Sequence, residues 1–285
     1  MRVLVIVSFL FVLCVIGICH STSKKGILIV AFGTSVPEAR KVYDAVDRVV
    51  KGEFPGASVR WAYTSRMVRE KLREQGVNVD SPEMALCRML EEGVEEIGIL
   101  SLHVIPGEEY HELKRSAELF SKMSNKLKYI VVSPPLLSSY EDLEHVAQIL
   151  LEELPKERTS KDGVIFMGHG TSHPAGNLYV AIAYVLNQKD PNVFLATVEG
   201  WPKFEEIIPK LRINKVKKVY LIPFMAVAGD HVLNDMAGED PSSWKSILEK
   251  EGFKVVPLVR GLAESNRIIR IWLEHLKGVF PINEK

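Results

Sequence analysis

Gly26-Ile27-Leu28-Ile29-Val30-Ala31-Phe32-Gly33-Thr34-Ser35 and Gly163-Val164-Ile165-Phe166-Met167-Gly168-His169-Gly170-Thr171-Ser172 are two versions of one phrase, an apolar run closing on a glycine-Thr-Ser turn. Such a run reads as a strand buried on both faces, as in parallel sheets covered by helices. Around the first copy the patterning predicts strands at Gly26–Phe32, Ser58–Tyr63, Glu96–Leu102 and Tyr129–Val132. Helical patterns follow them at Pro37–Lys51, Arg66–Gln75, Glu108–Lys122 and Tyr140–Glu153. The strand rhythm restarts with Gly163–Met167, Phe194–Val198, Val219–Pro223 and Lys254–Leu258. Repeated strand-helix units of this length imply an α/β fold with parallel sheets.

The restart reads as an internal duplication. Laying Gly33 on Gly170, and Val104-Ile105-Pro106-Gly107-Glu108-Glu109 on Ala226-Val227-Ala228-Gly229-Asp230-His231, pairs Phe32 with His169 and Glu109 with His231. Trp61-Ala62-Tyr63-Thr64 then falls roughly opposite Ala196-Thr197-Val198-Glu199. The charged, Pro-containing stretch 152–162 reads as a linker, giving an N-terminal domain over 24–154 and a C-terminal domain over 163–280. Ligands of parallel α/β sheets bind outside the carboxyl ends of the strands. Two facing halves would therefore bring His169, Glu199 and His231 from one side, and Glu109 from the other, to a central cleft.

The rest of the chain bounds the possibilities. Its 285 residues, 47% of them hydrophobic, suit an ordinary folded protein and exclude a disordered or fibrous chain. With 36 Lys+Arg against 36 Asp+Glu there is no basic excess to release counterions from a nucleic acid, so no nucleic-acid partner is expected. Arg2 followed by the apolar run Val3–Cys19 reads as a signal peptide over 1–23, with the mature start between His20 and Lys24. That implies a periplasmic protein with no stable span after cleavage; an uncleaved leader anchoring the chain to the membrane is the alternative. Cys87 is then the one cysteine of the mature chain, which excludes an internal disulfide there, and its helical context suggests a buried small hydrophobe.

Two imidazoles and a carboxylate from separate strand ends suit a divalent transition metal with positions left open for substrate. Among the remaining histidines, His145 and His275 fall in charged helical patterns and read as surface residues, while His103 and His173 lie near strand ends and could line the cleft. The Gly-Thr-Ser turns could offer donors to an anion, or serve as ordinary helix caps. No Walker loop, dinucleotide fingerprint, His-Glu-x-x-His or Gly-x-Ser-x-Gly elbow is found, so those chemistries lose their usual support.

Met167-Gly168-His169-Gly170-Thr171-Ser172-His173, Thr197-Val198-Glu199-Gly200-Trp201-Pro202, Ala228-Gly229-Asp230-His231-Val232-Leu233-Asn234-Asp235-Met236, Ser101-Leu102-His103-Val104-Ile105-Pro106-Gly107-Glu108-Glu109-Tyr110 and Phe32-Gly33-Thr34-Ser35 together resemble the anaerobic sirohydrochlorin cobaltochelatases, relatives of the class II chelatases that include ferrochelatase. The likeness runs in order from about Lys25 to Leu276. It implies two Rossmann-like domains flanking a tetrapyrrole cleft, and insertion of Co2+ into sirohydrochlorin on a route to cobalamin. By the same resemblance His169 is the metal-binding proton acceptor, His231 and Glu199 are further metal ligands, and Glu109 is an acidic residue of the cleft implicated in catalysis.

The resemblance leaves several expectations open. Nitrogen ligands do not by themselves prefer cobalt, so a sirohydrochlorin ferrochelatase using Fe2+ is an alternative. An export signal is unusual for the family, which makes a periplasmic metal or haem carrier without turnover the rival of a different class. Arg66 and Arg69 are candidate contacts for the substrate's carboxylates. His111, one turn into a helix beside Glu109, could ligate haem iron, for instance at a subunit contact of a homo-oligomer.

Overall fold

The computed structural model describes residues 23–123 and 125–280; the leader read from the sequence lies outside them apart from Ser23. Strands β1 (Lys25–Ala31), β2 (Ser58–Tyr63), β3 (Glu96–Ser101) and β4 (Tyr129–Val132) form one sheet in the order β2-β1-β3-β4. Strands β5 (Gly163–Gly170), β6 (Val193–Glu199), β7 (Lys218–Pro223) and β8 (Lys254–Pro257) form a second in the order β6-β5-β7-β8. Every neighbouring pair is parallel, and the two sheets repeat one topology.

The duplication extends to individual backbone hydrogen bonds. Leu102 N–H donates to Val30 C=O at 2.8 Å, and Phe224 N–H to Met167 C=O at 2.7 Å. Leu136 and Leu137 donate to His103 and Val104 as Leu262 and Ala263 donate to Met225 and Ala226. These bonds keep the register that lays Gly33 on Gly170 and Gly107 on Gly229.

Side-chain alternation along the central strands sorts the core into three. Ile27, Ile29 and Ala31 of β1, with Val164 and Phe166 of β5, face a shared core. Five helices fill it: α1 (Pro37–Glu53), α2 (Arg66–Glu74) through Leu72, α5 (Tyr140–Glu152), α6 (Asn177–Lys189) and α9 (Asn266–Val279). Leu28 and Val30 point the other way, onto α3 (Pro82–Glu91) and α4 (Glu108–Met123). In the second sheet Ile165 and Met167 likewise turn to α7 (Ile207–Ile213) and α8 (Trp244–Lys250). The period of two along each strand thus puts one face of each sheet into a common layer and the other face under its own helices.

Helix α9 follows the second sheet in sequence and packs on the first. Trp272 Nε1–H donates to the His103 carbonyl at 3.2 Å, His275 Nε2 meets Asp142 Oδ1 at 3.0 Å, and Tyr129 Oη–H donates to the Val279 carbonyl at 2.7 Å. Beneath it Gly98 leaves room for Phe280 and Leu276: a Cβ there would stand 2.8 Å from the Phe280 ring and 3.2 Å from Leu276 Cδ1.

Three expectations change. His275 is half-buried against Asp142 instead of lying on the surface, because α9 is covered by α5. Cys87 is exposed, since Ala85, Leu86 and Met89 carry the buried stripe of α3. Strand β5 runs on through Gly168-His169-Gly170, where Gly168 pairs with Thr197 and Gly170 with Glu199. Only glycine allows this: Gly170 has φ +82°, and a Cβ on it would fall 1.6 Å from the Glu199 carbonyl oxygen.

Two stability predictions follow from this packing. Gly98→Ala overpacks the seat of α9, so unfolding should cost about 1–3 kcal/mol less, read as a fall of several degrees in Tm; an unchanged Tm would show that Phe280 yields freely. His103 has its Nε2 buried without a partner among the described residues, and burial pushes its pKa down to about 4. Below about pH 6.5 the unfolded chain takes up a proton there that the folded chain refuses until about pH 4, so stability falls as pH drops through that window. His103→Gln should flatten this slope by up to about 1.4 kcal/mol per pH unit in denaturant titrations between pH 4.5 and 7.

Candidate active site

Both sheets change winding direction between their two central strands, β1 and β3 in one and β5 and β7 in the other. The crevice beyond the carboxyl ends of such a pair is where open α/β sheets hold ligands. His169, near the end of β5, and His231, in the loop after β7, flank this crevice in the second half, with ring centroids 4.8 Å apart and planes at 82°.

Each ring is oriented through its Nδ1. His169 Nδ1 lies 3.0 Å from the Gly170 carbonyl, which can only accept, so Nδ1 carries the hydrogen and Nε2 keeps its lone pair. His231 Nδ1 lies 2.5 Å from Asp235 Oδ2, one turn further on in the π-helical turn Val232–Met236, with the same result. Hydrogen bonds of this kind fix the ring and the tautomer with which an imidazole can meet a metal. Asp235 had no role in the sequence reading, although its spacing of four from His231 on a helical turn is the signal that could have found it.

The first half contributes from the opposite side. Glu109 stands in the first turn of α4, partly buried. Its charge is felt by Tyr179, whose hydroxyl is pushed up to about 12 by burial, against a hydrogen bond from the Gly170 backbone and with Glu109 adding to the rise. Tyr179 packs under the His169 turn, where a Cβ on Gly168 would meet its ring at 2.8 Å. Asp230 joins the halves directly, accepting from Ser35 Oγ at 3.3 Å and from Lys71 Nζ at 3.2 Å.

Other expected residues are placed differently. Glu199 is exposed at the end of β6, and among the described residues no three His, Cys, Asp or Glu side chains converge on one point to form a metal cage. Arg69 donates to the carbonyls of Tyr63 and Thr64, and Arg66 pairs with Glu70, so both are already engaged. The Gly-Thr-Ser turns fold on themselves: Thr34 Oγ1 accepts from Val36 N–H at 3.2 Å and Thr171 Oγ1 from His173 N–H at 3.1 Å. His145 is exposed as expected, His103 turns inward, and His111 lies beside His173. Three exposed apolar side chains follow strands of the crevice, Phe32 directly after β1, Trp201 just after β6 and Leu233 in the π-helical turn that follows β7, a group the sequence reading did not single out.

The family model described as cobalt chelatase (CbiK) matches residues 25–280. The sirohydrochlorin cobaltochelatase CbiKC of Nitratidesulfovibrio vulgaris is 40% identical over 254 residues, covering 89% of this chain and 90% of that protein. The sirohydrochlorin cobaltochelatase of Salmonella typhimurium is 34% identical over 255 residues, 89% of this chain and 95% of that one. Among solved structures, SirB from Bacillus subtilis with Fe3+ superposes with a TM-score of 0.60 at 16% identity, covering 90% of this chain and 96% of that one. CbiX from denitrifying bacteria does so with a TM-score of 0.53 at 18% identity, covering 89% and 99%. At these identities the structural likeness concerns the fold.

Asp235→Ala should leave His231 free to rotate and to place its hydrogen on Nε2. Co2+ affinity, followed by the visible absorption of the bound ion, should fall about 10–100-fold. Wild-type affinity would separate Asp235 from metal binding.

Proposed function

The chain belongs to the cobalt chelatase (CbiK) family, and from that premise we propose that it inserts Co2+ into sirohydrochlorin, with His169 as metal ligand and proton acceptor. The observation that carries this reading is the His169–His231 pair, two rings 4.8 Å apart whose hydrogen bonds leave both Nε2 lone pairs unclaimed.

Metallation exchanges one dication for two pyrrole N–H protons. The metal must shed water and the protons must find bases, while the macrocycle is held near the ion. His169 and His231 offer imidazole nitrogen donors suited to Co2+, and Glu199 at the rim of β6 supplies a carboxylate as the ion arrives. When the metal passes to the macrocycle, Nε2 of His169 regains a free lone pair and takes one proton, with the Gly170 carbonyl holding the resulting imidazolium at Nδ1–H. Glu109, from the opposite half, takes the second. Phe32, Trp201 and Leu233 give a flat macrocycle apolar surface to lie on.

The donor set does not distinguish cobalt from iron, so Fe2+ belongs in the assay. Haem at His111 forms no part of this reading. The leader, on residues outside the described part, adds the proposal that the enzyme works in the periplasm.

The test is an anaerobic assay with sub-stoichiometric protein, sirohydrochlorin, and Co2+ or Fe2+, followed by the visible spectrum. Many turnovers with Co2+, reduced about 100-fold or more in His169→Ala, are expected. Binding of metal or tetrapyrrole without turnover would replace the enzyme reading with a carrier built on the same fold.

A further inference from the structure

A second pair of histidines crosses between the halves just outside the first. His173 follows His169 in the same loop and His111 follows Glu109 on α4; their ring centroids are 5.3 Å apart with planes at 41°. The chemistry of His173 is the reverse of that of the inner pair. His173 Nδ1 accepts from the Ala175 N–H at 3.1 Å, so its hydrogen sits on Nε2, and the atom left to face a ligand is a donor. A donor repels a metal ion and suits an anion.

The pair closes one end of an open groove of about 740 Å³ between α4 and the edge strand β4. Lys114 and Arg115 line it, both exposed, and among the described residues neither has a carboxylate within ion-pair distance. Of the two acids on its wall, Glu118 is neutralised by Lys122 at 2.7 Å, which leaves Glu108 against two cations. The floor, Ile130 to Val132, is apolar. The volume lies in the range of small-ligand sites.

We propose that this groove is a carboxylate-binding annex of the cleft. Lys114 and Arg115 draw the peripheral acid arms of the tetrapyrrole by charge, His173 Nε2–H and His111 hydrogen-bond them, and β4 receives their methylene stems. The proposal rests on the chelatase reading for the identity of its ligand. A macrocycle seated between His169 and Glu109 has its rim toward His173 and His111, the next residues outward on the same two elements. Charge at the rim fixes the orientation of the ring and leaves the metal chemistry to the inner pair, a division marked by the Nε2–H of His173 against the Nε2 lone pairs of His169 and His231.

Metal-free sirohydrochlorin titrated into the full-length protein, followed by its visible absorption at about 50 and 200 mM salt, tests this. The double variant Lys114→Ala/Arg115→Ala should raise Kd about tenfold at the lower salt and flatten the salt dependence. His173→Ala should weaken binding about threefold, and His173→Gln, which keeps an N–H donor, should recover most of it. Citrate, a free polycarboxylate, should compete in the wild type and lose that effect in the double variant. Competition by citrate with an unchanged tetrapyrrole Kd in the variants would mean a general anion site and overturn the assignment. A wild-type Kd and salt slope in the double variant, or loss of Co2+ binding in His173→Ala without tetrapyrrole present, would overturn it too. Arg115→Gln alone repeats the test with a milder change. Failure of the wild type to turn over would strike the chelatase reading and leave these binding results standing.

Discussion

The shared helical layer is what fixes the site. Ile27 and Ile29 of β1 and Val164 and Phe166 of β5 bury in the same helical layer, so the two sheets cannot slide independently without opening one continuous apolar core. Close-packed interiors resist such shear because every lost contact is uncompensated. Helix α9 strengthens the constraint by leaving the second sheet and docking on the first, where Trp272, His275 and Phe280 each find a partner. With the halves held in this way, the Glu109 carboxylate on α4 comes close enough to be felt by Tyr179, which packs under the turn at the end of β5, although the residues are far apart in the chain.

Within that frame, chemistry is assigned by hydrogen placement. Four histidines lie along the crevice in two pairs, and their identity alone does not separate them. Gly170 and Asp235 accept from Nδ1 of His169 and His231, which directs basic Nε2 atoms inward. Ala175 N–H donates to Nδ1 of His173, which directs an N–H outward. The partner at Nδ1, accepting or donating, therefore decides whether Nε2 offers a lone pair or an N–H. The same logic explains His103, whose ring shares Ser101 Oγ at 2.8 Å and lies beneath the surface, where it braces the strand end that receives Trp272.

Much of the fold was legible because the strands are buried on both faces and so read as unbroken apolar runs; the register of the repeat could be taken from glycines alone, since Gly33 and Gly170 both need positive φ at the same turn. The sequence reading paired Trp61-Ala62-Tyr63-Thr64 only roughly with the end of β6, and the sheets pair Tyr63 with Ala31 and Thr197 with Gly168, a shift of one from that alignment. What stayed hidden depends on direction more than residue type. Arg69 looked available for substrate, but its guanidinium turns back to the carbonyls that end β2. Cys87 looked buried, but a helix stripe is set by its neighbours, and Leu86 and Met89 occupy the inner face. The destination of α9 could not be inferred, because nothing in an amphipathic stripe says which of two similar sheets it will cover.

The duplication also explains why the crevice is asymmetric. A repeat supplies the same backbone twice, with turns of the same geometry after β1 and β5 and after β3 and β7. Side chains at matching positions have diverged: Phe32 stands where the second half has His169, and Glu109 where it has His231. Two identical halves would surround a macrocycle with equal donors on both faces and give a metal ion no direction in which to move. The crevice instead carries imidazoles on one side, and a carboxylate and an exposed aromatic ring on the other. Each half has kept the fold and taken a different set of side chains at its strand ends.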